Sequence, residues 1–346
     1  RLFNQKWILL CLLFFPLFMG CNSSTVDEAL DAIDNPDDLL DLADGVDRKP
    51  IDTTRFGVNA FSNQAFAGSI CGQFAEIRNT LRLNFVRVLF NWDDNVQPTP
   101  DASPNFSFYD EIINCIPPGV DALVILTEVP SWMSNSTNWD EGNPRLTFAR
   151  RWVRRVARRY AGDRRIVGFQ VWNEPNNTTF PANAVMQVLD SPTNFVELMS
   201  LSSNLIKEAD SGRTVISGST TSIAQNFPTT FDYNKAAVEA GLLSVVDIYG
   251  IHYYGTNFER LVGPVDDFLN SISKPIWVTE SGRMGVNNQL VYAETAHPFL
   301  REQVPGIDRI YWYRFAEDLP ADVSFGLKTP DPNFPVSDLY ISLRDR

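Results

Sequence analysis

From residue 54 onward, short apolar runs alternate with longer stretches whose apolar positions recur at helical spacing. The runs that read as strands are Phe56 to Ala60, Phe85 to Phe90, Ala122 to Leu126, Ile166 to Val171, Val215 to Gly218, Val246 to Tyr249, Ile276 to Thr279 and Ile307 to Tyr311. Between them lie amphipathic helical patterns, among them Cys71 to Leu83, Leu146 to Ala161, Asn194 to Ala209 and Asn288 to Gln303, with a short, weak one near Val336 to Leu343. Eight strand-and-helix units, roughly 30 to 48 residues apart, predict a (β/α)8 barrel over residues 51–346. A doubly wound open sheet is the alternative, and it should show a glycine-rich phosphate loop after an early strand. The first strand leads instead into Asn59-Ala60-Phe61-Ser62, which favours the barrel.

The pattern changes before residue 51. Trp7 to Met19 is an apolar run broken only by Pro16, too short for a membrane-spanning helix, which needs about 20 such residues. It fits an export signal over residues 1–20. Leu17-Phe18-Met19-Gly20-Cys21 resembles the lipobox of bacterial lipoproteins, which makes Cys21 the candidate for lipidation. The expected location is therefore outside the cytoplasm, on a lipid anchor at the cell envelope, with periplasmic or secreted protein as the alternative. Residues 21–50 read as a self-repelling tether: nine of the 42 acidic residues fall between Asp27 and Asp47. The net charge of −13 thus overstates the acidity of the barrel.

The opposite charge run, Arg150, Arg151, Arg154, Arg155, Arg158 and Arg159, is interleaved with Trp152, Val153, Val156 and Tyr160. That is one amphipathic helix with a basic outer face, and in an exported acidic protein it is not read as a nucleic-acid site. Of the four Cys, Cys11 lies in the leader and Cys21 in the lipobox, leaving Cys71 and Cys115. They fall near the start of the first helix and the end of the second. Neighbouring barrel helices run parallel, so two separate buried thiols are expected rather than a disulfide. With two His and no C-x-x-C, no zinc site is predicted.

The chemistry gathers at the C-terminal ends of the strands, where barrels of this kind build their sites. Arg87 stands on strand two, Asn173 and Glu174 follow strand four, His252 and Tyr254 follow strand six, Glu280 ends strand seven and Trp312 ends strand eight. Two carboxyl groups on different strands suit glycoside hydrolysis, where one protonates the leaving oxygen and the other attacks or stabilises the anomeric carbon. A separation of about 5–5.5 Å implies retention through a covalent intermediate. A hydrogen bond from Tyr254 would help keep Glu280 ionised. No metal or organic cofactor is called for.

Trp172-Asn173-Glu174-Pro175, the His252-Tyr253-Tyr254 run and Trp277-Val278-Thr279-Glu280-Ser281-Gly282 together resemble the clan A glycoside hydrolases, the "4/7" superfamily. The resemblance covers about residues 54 to 346. It implies that Glu174 is the acid/base and Glu280 the nucleophile, with Asn173 on the sugar 2-hydroxyl. It further implies Tyr254 beside the nucleophile, His252 near the acid/base, Arg87 supporting the nucleophile and Trp312 as a platform under the sugar. Many members of family 5 carry a His after strand three. Here that region reads Thr127-Glu128-Val129-Pro130-Ser131-Trp132, which leaves family 39 or another branch open. Trp92 and Trp132 are further candidates to stack on sugar faces, as is Glu128 to bind a hydroxyl. The implied function is a retaining β-glycosidase acting on a polysaccharide or oligosaccharide. A carbohydrate-binding lipoprotein without turnover and a transglycosylase using the same intermediate are the alternatives.

Overall fold

A computed structural model describes residues 47–224, 226–254 and 261–346. The signal segment, the Cys21 lipidation candidate and nearly all of the acidic tether lie outside them. The tether's described end is held on the barrel: the Lys49 amide donates to Glu294 O at 2.8 Å and Arg48 pairs with the Glu294 carboxylate.

Eight parallel strands form the barrel: β1 (Phe56–Asn59), β2 (Phe85–Asn91), β3 (Asp121–Thr127), β4 (Ile166–Val171), β5 (Thr214–Ser217), β6 (Tyr249–Tyr254), β7 (Ile276–Gly282) and β8 (Ile307–Trp312). They run in the order β5-β4-β3-β2-β1-β8-β7-β6. The seam between β5 and β6 is closed by the bridge Ile216–Ile248 and by Ser217 N donating to Ile248 O at 3.1 Å. This seam explains the one displaced strand. The apolar residues from Val246 to Ile248 read as a strand, yet Asp247 N and Ile248 N both turn to Val215 O, which breaks the ladder. Pairing with β7 starts at Tyr249 and, after a register shift between Ile251 and His252, runs on to Tyr254. His252 therefore lies within β6, and Glu280 within β7.

The helices start where short polar side chains can cap them. Ser69 caps Ile70–Asn79, Asn143 caps Pro144–Phe148, Ser191 caps Pro192–Ala209 and Ser337 caps Asp338–Asp345. The arginine-rich helix is interrupted by a π-turn at Ala149–Val153 and resumes at Arg154–Arg159. Arg150, Arg151, Arg158 and Arg159 pair with Glu141, Asp140, Glu208 and Asp110, so this basic face is knitted to its neighbours. No helix of the described residues is long and apolar enough to cross a membrane.

Cys71 and Cys115 form a disulfide, with Cα atoms 4.6 Å apart, against the expectation of separate buried thiols. That expectation assumed parallel helices overlapping along their whole length. Ile70–Asn79 and Ser107–Cys115 have only ten and nine residues, about 15 Å and 14 Å of helix, and the first turn of one meets the last turn of the other. Nor are these residues buried: Cys71 is exposed and Cys115 half-buried.

Inside the barrel the alternation of side chains sorts chemistry by height. The lower interior is apolar, packed with Phe85, Leu123, Val167, Ile216, Ile248, Trp277 and Tyr311. Above it the inward positions turn polar: Asn59, Arg87, Gln170 and Thr279, all fully buried. The carboxylates stand above these.

Candidate active site

The backbone after β4 is bent to present Glu174. Trp172 and Glu174 both adopt the left-handed region, with φ of 71° and 43°, a conformation costing of order 1–3 kcal/mol for such residues. Surrounding bonds hold the bend. Trp172 N donates to Leu126 O at 2.8 Å, Glu174 N to Ser219 O at 2.7 Å, and Asn183 Nδ2 to Glu174 O at 2.7 Å. Gly218 is needed here, because a Cβ on it would lie 2.6 Å from Val171 O. The Glu174 carboxylate then accepts from Asn177 Nδ2 at 2.9 Å through Oε2 and lies 3.1 Å from His252 Nδ1 through Oε1.

Glu280 arrives from the other side of the barrel. Its Oε1 accepts from Arg87 Nη1 at 2.6 Å and its Oε2 from the Tyr254 hydroxyl at 2.9 Å. His252 bridges the pair, with Nε2 3.5 Å from Glu280 Oε1. Burial opposes ionisation of Glu280. The charge of His252 and that of Arg87, followed by the Arg87 and Tyr254 hydrogen bonds, outweigh burial and hold the carboxyl below its ordinary value.

Arg87 is itself fixed on three sides. Nε donates to Gln170 Oε1 at 2.8 Å, Nη1 to Asn59 Oδ1 at 2.7 Å and Nη2 to Asn173 Oδ1 at 3.1 Å. With the bond to Glu280, four bonds leave from one fully buried guanidinium, which has five N–H groups to give. Gln170 passes the constraint on, donating through Nε2 to Ser217 O, Ser219 Oγ and Thr279 Oγ1 at 3.0, 3.1 and 3.2 Å. Asn59 Nδ2 donates to Thr279 O and Trp312 O, both at 3.1 Å. Asn59 and Gln170 escaped the sequence reading. Their signal was a polar residue inside an otherwise apolar strand.

Arg87, Asn173, Glu174, His252, Tyr254 and Glu280 thus converge. The predicted platform does not join them. Trp312 is fully buried, its ring 6.1 Å from those of Tyr292 and His297 on helix Gln289–Gln303, and so points out of the barrel. Pleating gives the inward position to the next residue: Tyr313 lies 6.1 Å from Tyr254 and 6.0 Å from Phe325, ring to ring. Trp92 is also fully buried, stacked parallel to Trp152 at 6.5 Å, with Nε1 on Gln97 Oε1. Trp132 is half-buried and anchors the same loop, donating Nε1 to Gln97 O at 2.8 Å. Glu128 sits at the β3 end in a left-handed conformation with φ of 64°. Burial, then the charge of Asp93, push its carboxyl up to about 7.

Among the described residues, Glu174, His252 and Glu280 are the set whose ligand atoms fall within 4.8 Å of one another. A cation there would face the Arg87 guanidinium, already 2.6 Å from Glu280. That buried positive charge, beside the same carboxylate, opposes a metal ion at this position.

Comparison with known proteins agrees with this geometry. The model of the cellulase family, glycosyl hydrolase family 5, matches residues 48–314. That span includes Glu128, so the histidine missing after β3 does not separate the chain from the family. No curated protein matches the sequence. Among solved structures, a family 39 glycoside hydrolase from the gut symbiont Bacteroides cellulosilyticus is similar, with a TM-score of 0.60 and 19% identity. The alignment covers 85% of this chain and 64% of that one, so the chain spans less than two thirds of that relative. The GH39 enzyme from Xanthomonas axonopodis pv. citri aligns with a TM-score of 0.59 and 15% identity, over 86% of this chain and 67% of the other. A GH5_18 protein from Streptomyces cattleya, in complex with Manβ1-4GlcNAc, aligns at 0.57 and 17% identity, over 84% and 79%. The structural likenesses carry the fold, and the family model carries the assignment. The chain belongs to the cellulase family, glycosyl hydrolase family 5.

Proposed function

We propose that the chain is a retaining β-glycosidase in which Glu280 is the nucleophile and Glu174 the general acid/base. The observation that carries this reading is the facing pair itself, with one oxygen of each carboxylate within 4.8 Å of the other across the ring of His252. That is close to the roughly 5–5.5 Å of retaining enzymes and well short of the 6.5–9.5 Å that leaves room for an inverting water. Environment divides the roles. Glu280 carries a guanidinium and a phenol hydrogen bond and is held ionised for attack at the anomeric carbon. Glu174 has an amide and an imidazole as side-chain partners, which suits it to give a proton to the leaving oxygen and take one back from water. Asn173 has its Oδ1 held by Arg87, leaving its NH2 for the 2-hydroxyl of the sugar.

The substrate is a β-linked polysaccharide or oligosaccharide. Turnover of aryl β-glycosides and polysaccharides by the full chain tests the reading. Glu280→Gln and Glu174→Gln should each abolish turnover of a polysaccharide substrate, and full activity in either variant sinks that residue's role. NMR of the first-formed anomer tests retention. We further propose that the protein is exported and lipid-anchored through Cys21. The leader supports this, and so does the Cys71–Cys115 disulfide, a bond that persists in oxidising compartments. Cys21→Ser should move the protein from the membrane to the soluble fraction; unchanged membrane partition would contradict the anchor.

A further inference from the structure

A second cleft opens on the catalytic face of the barrel, outside the carboxylate pair. Its walls come from the loop after β7, through Asn287 and Asn288, and from the long loop after β8, through Pro320, Asp322, Asp331 and Phe334. Its volume is about 400 Å³, within the range of small-ligand sites. Phe334 is a large apolar side chain left 47% exposed. Asn287, Asn288 and Asp322 line the cleft and are all exposed, so it offers amides and a carboxylate to a ligand.

The chemistry narrows the occupant. An exposed aromatic face beside solvent-facing amides and a carboxylate matches a sugar ring, which offers apolar C–H faces and adjacent hydroxyls. No Lys or Arg lines the cleft, which disfavours uronates and sulfated sugars. Nor does it form a cation cup, since no group of three or more ligating side chains gathers there among the described residues.

Position ties the cleft to the reaction. Asp322 lies three residues before Phe325, whose ring is 5.5 Å from that of Tyr254, and Tyr254 bonds the nucleophile. The distance from the cleft to Glu280 is thus at most roughly 25 Å, a span of several sugar units. Resting on the glycosidase reading above, we propose that this cleft is a remote binding site for a neutral polysaccharide that threads into the catalytic centre. The enzyme then holds its polymer at two places and cuts at one.

The test uses the full chain carrying Glu280→Gln, so that substrate is not consumed, in affinity electrophoresis through soluble mixed-linkage β-glucan, xylan or mannan. At least one of these should retard the protein. Adding Phe334→Ala should weaken that retardation about fivefold or more, and Phe334→Trp should preserve it. Retention on polygalacturonate should not depend on Phe334. In the active enzyme, Phe334→Ala should lower kcat/KM on the polymer relative to an aryl glycoside. Retention independent of Phe334 on every neutral polymer overturns the proposal, as does Phe334-dependent binding of the polyanion. Failure of the wild-type enzyme on every aryl glycoside and every polymer would sink the catalytic reading, while the gel result still decides the cleft.

Discussion

Replacing Arg87 by Met probes the electrostatics of the site most sharply. The Arg87–Glu280 pair is 1% exposed on both sides, with 2.6 Å between Nη1 and Oε1. Removing one partner of a buried ion pair costs about 3–5 kcal/mol, because the survivor is left as an uncompensated charge. Glu280 escapes part of that cost by taking a proton. Its pKa therefore rises, because the guanidinium that favoured the ionised form is gone. The assay is kcat/KM against pH, with thermal unfolding measured in parallel. Arg87 holds Glu280 ionised, so its loss should move the acid limb upward and lower activity near neutrality by at least about 100-fold. Arg87→Lys should recover only part, since an ammonium cannot reproduce a guanidinium's bonds to Glu280, Asn59, Gln170 and Asn173 together. A fully folded Arg87→Met enzyme with an unmoved acid limb and kcat within threefold of wild type would refute the reasoning.

Other predictions follow from the same structure. Tyr254→Phe removes the hydroxyl bond to Glu280 Oε2, so kcat should fall about 10- to 100-fold and the acid limb should rise less than in Arg87→Met. Cys115→Ser opens a cross-link spanning 44 residues, worth at most about 4 kcal/mol by loop-closure entropy. Urea unfolding should show that loss, and an unchanged midpoint would contradict it. Burial and Asp93 raise Glu128 from 4.5 to about 7. The folded state therefore binds more protons than the unfolded state between about pH 4.5 and 7, and stability falls as pH rises through that window. Glu128→Gln should thus stabilise the protein above pH 7 by about 1–2 kcal/mol, after allowance for the partial exposure of the carboxylate, and change little near pH 4. Equal effects at both pH values would exclude this origin.

The barrel was legible because parallel strands covered on both faces are apolar throughout, and because serine and asparagine caps punctuate the helices. Strand six was displaced because hydrophobicity marks burial rather than ladder pairing, and Val246 to Ile248 are buried or half-buried at an irregular seam. The same limit explains Trp312. Ending an apolar run places a residue at the rim, but the pleat decides whether it faces the cleft or the helices. The disulfide turned on helix stagger, which no spacing in the sequence reports. Arg87, Glu174 and Glu280 were found because charged groups at the ends of buried strands are costly unless paired or used. Gln170 and Asn59 carry the same signal in neutral form, and the network that orients Arg87 runs through them.

The most direct test of the central claim is the mass of the protein after reaction with a 2-deoxy-2-fluoro β-glycoside matched to the aryl substrate that it turns over. One added glycosyl unit is expected, mapped by peptide sequencing to Glu280 and absent in Glu280→Gln. A label on Glu174 or any other residue, or hydrolysis with inversion and no adduct, would contradict it.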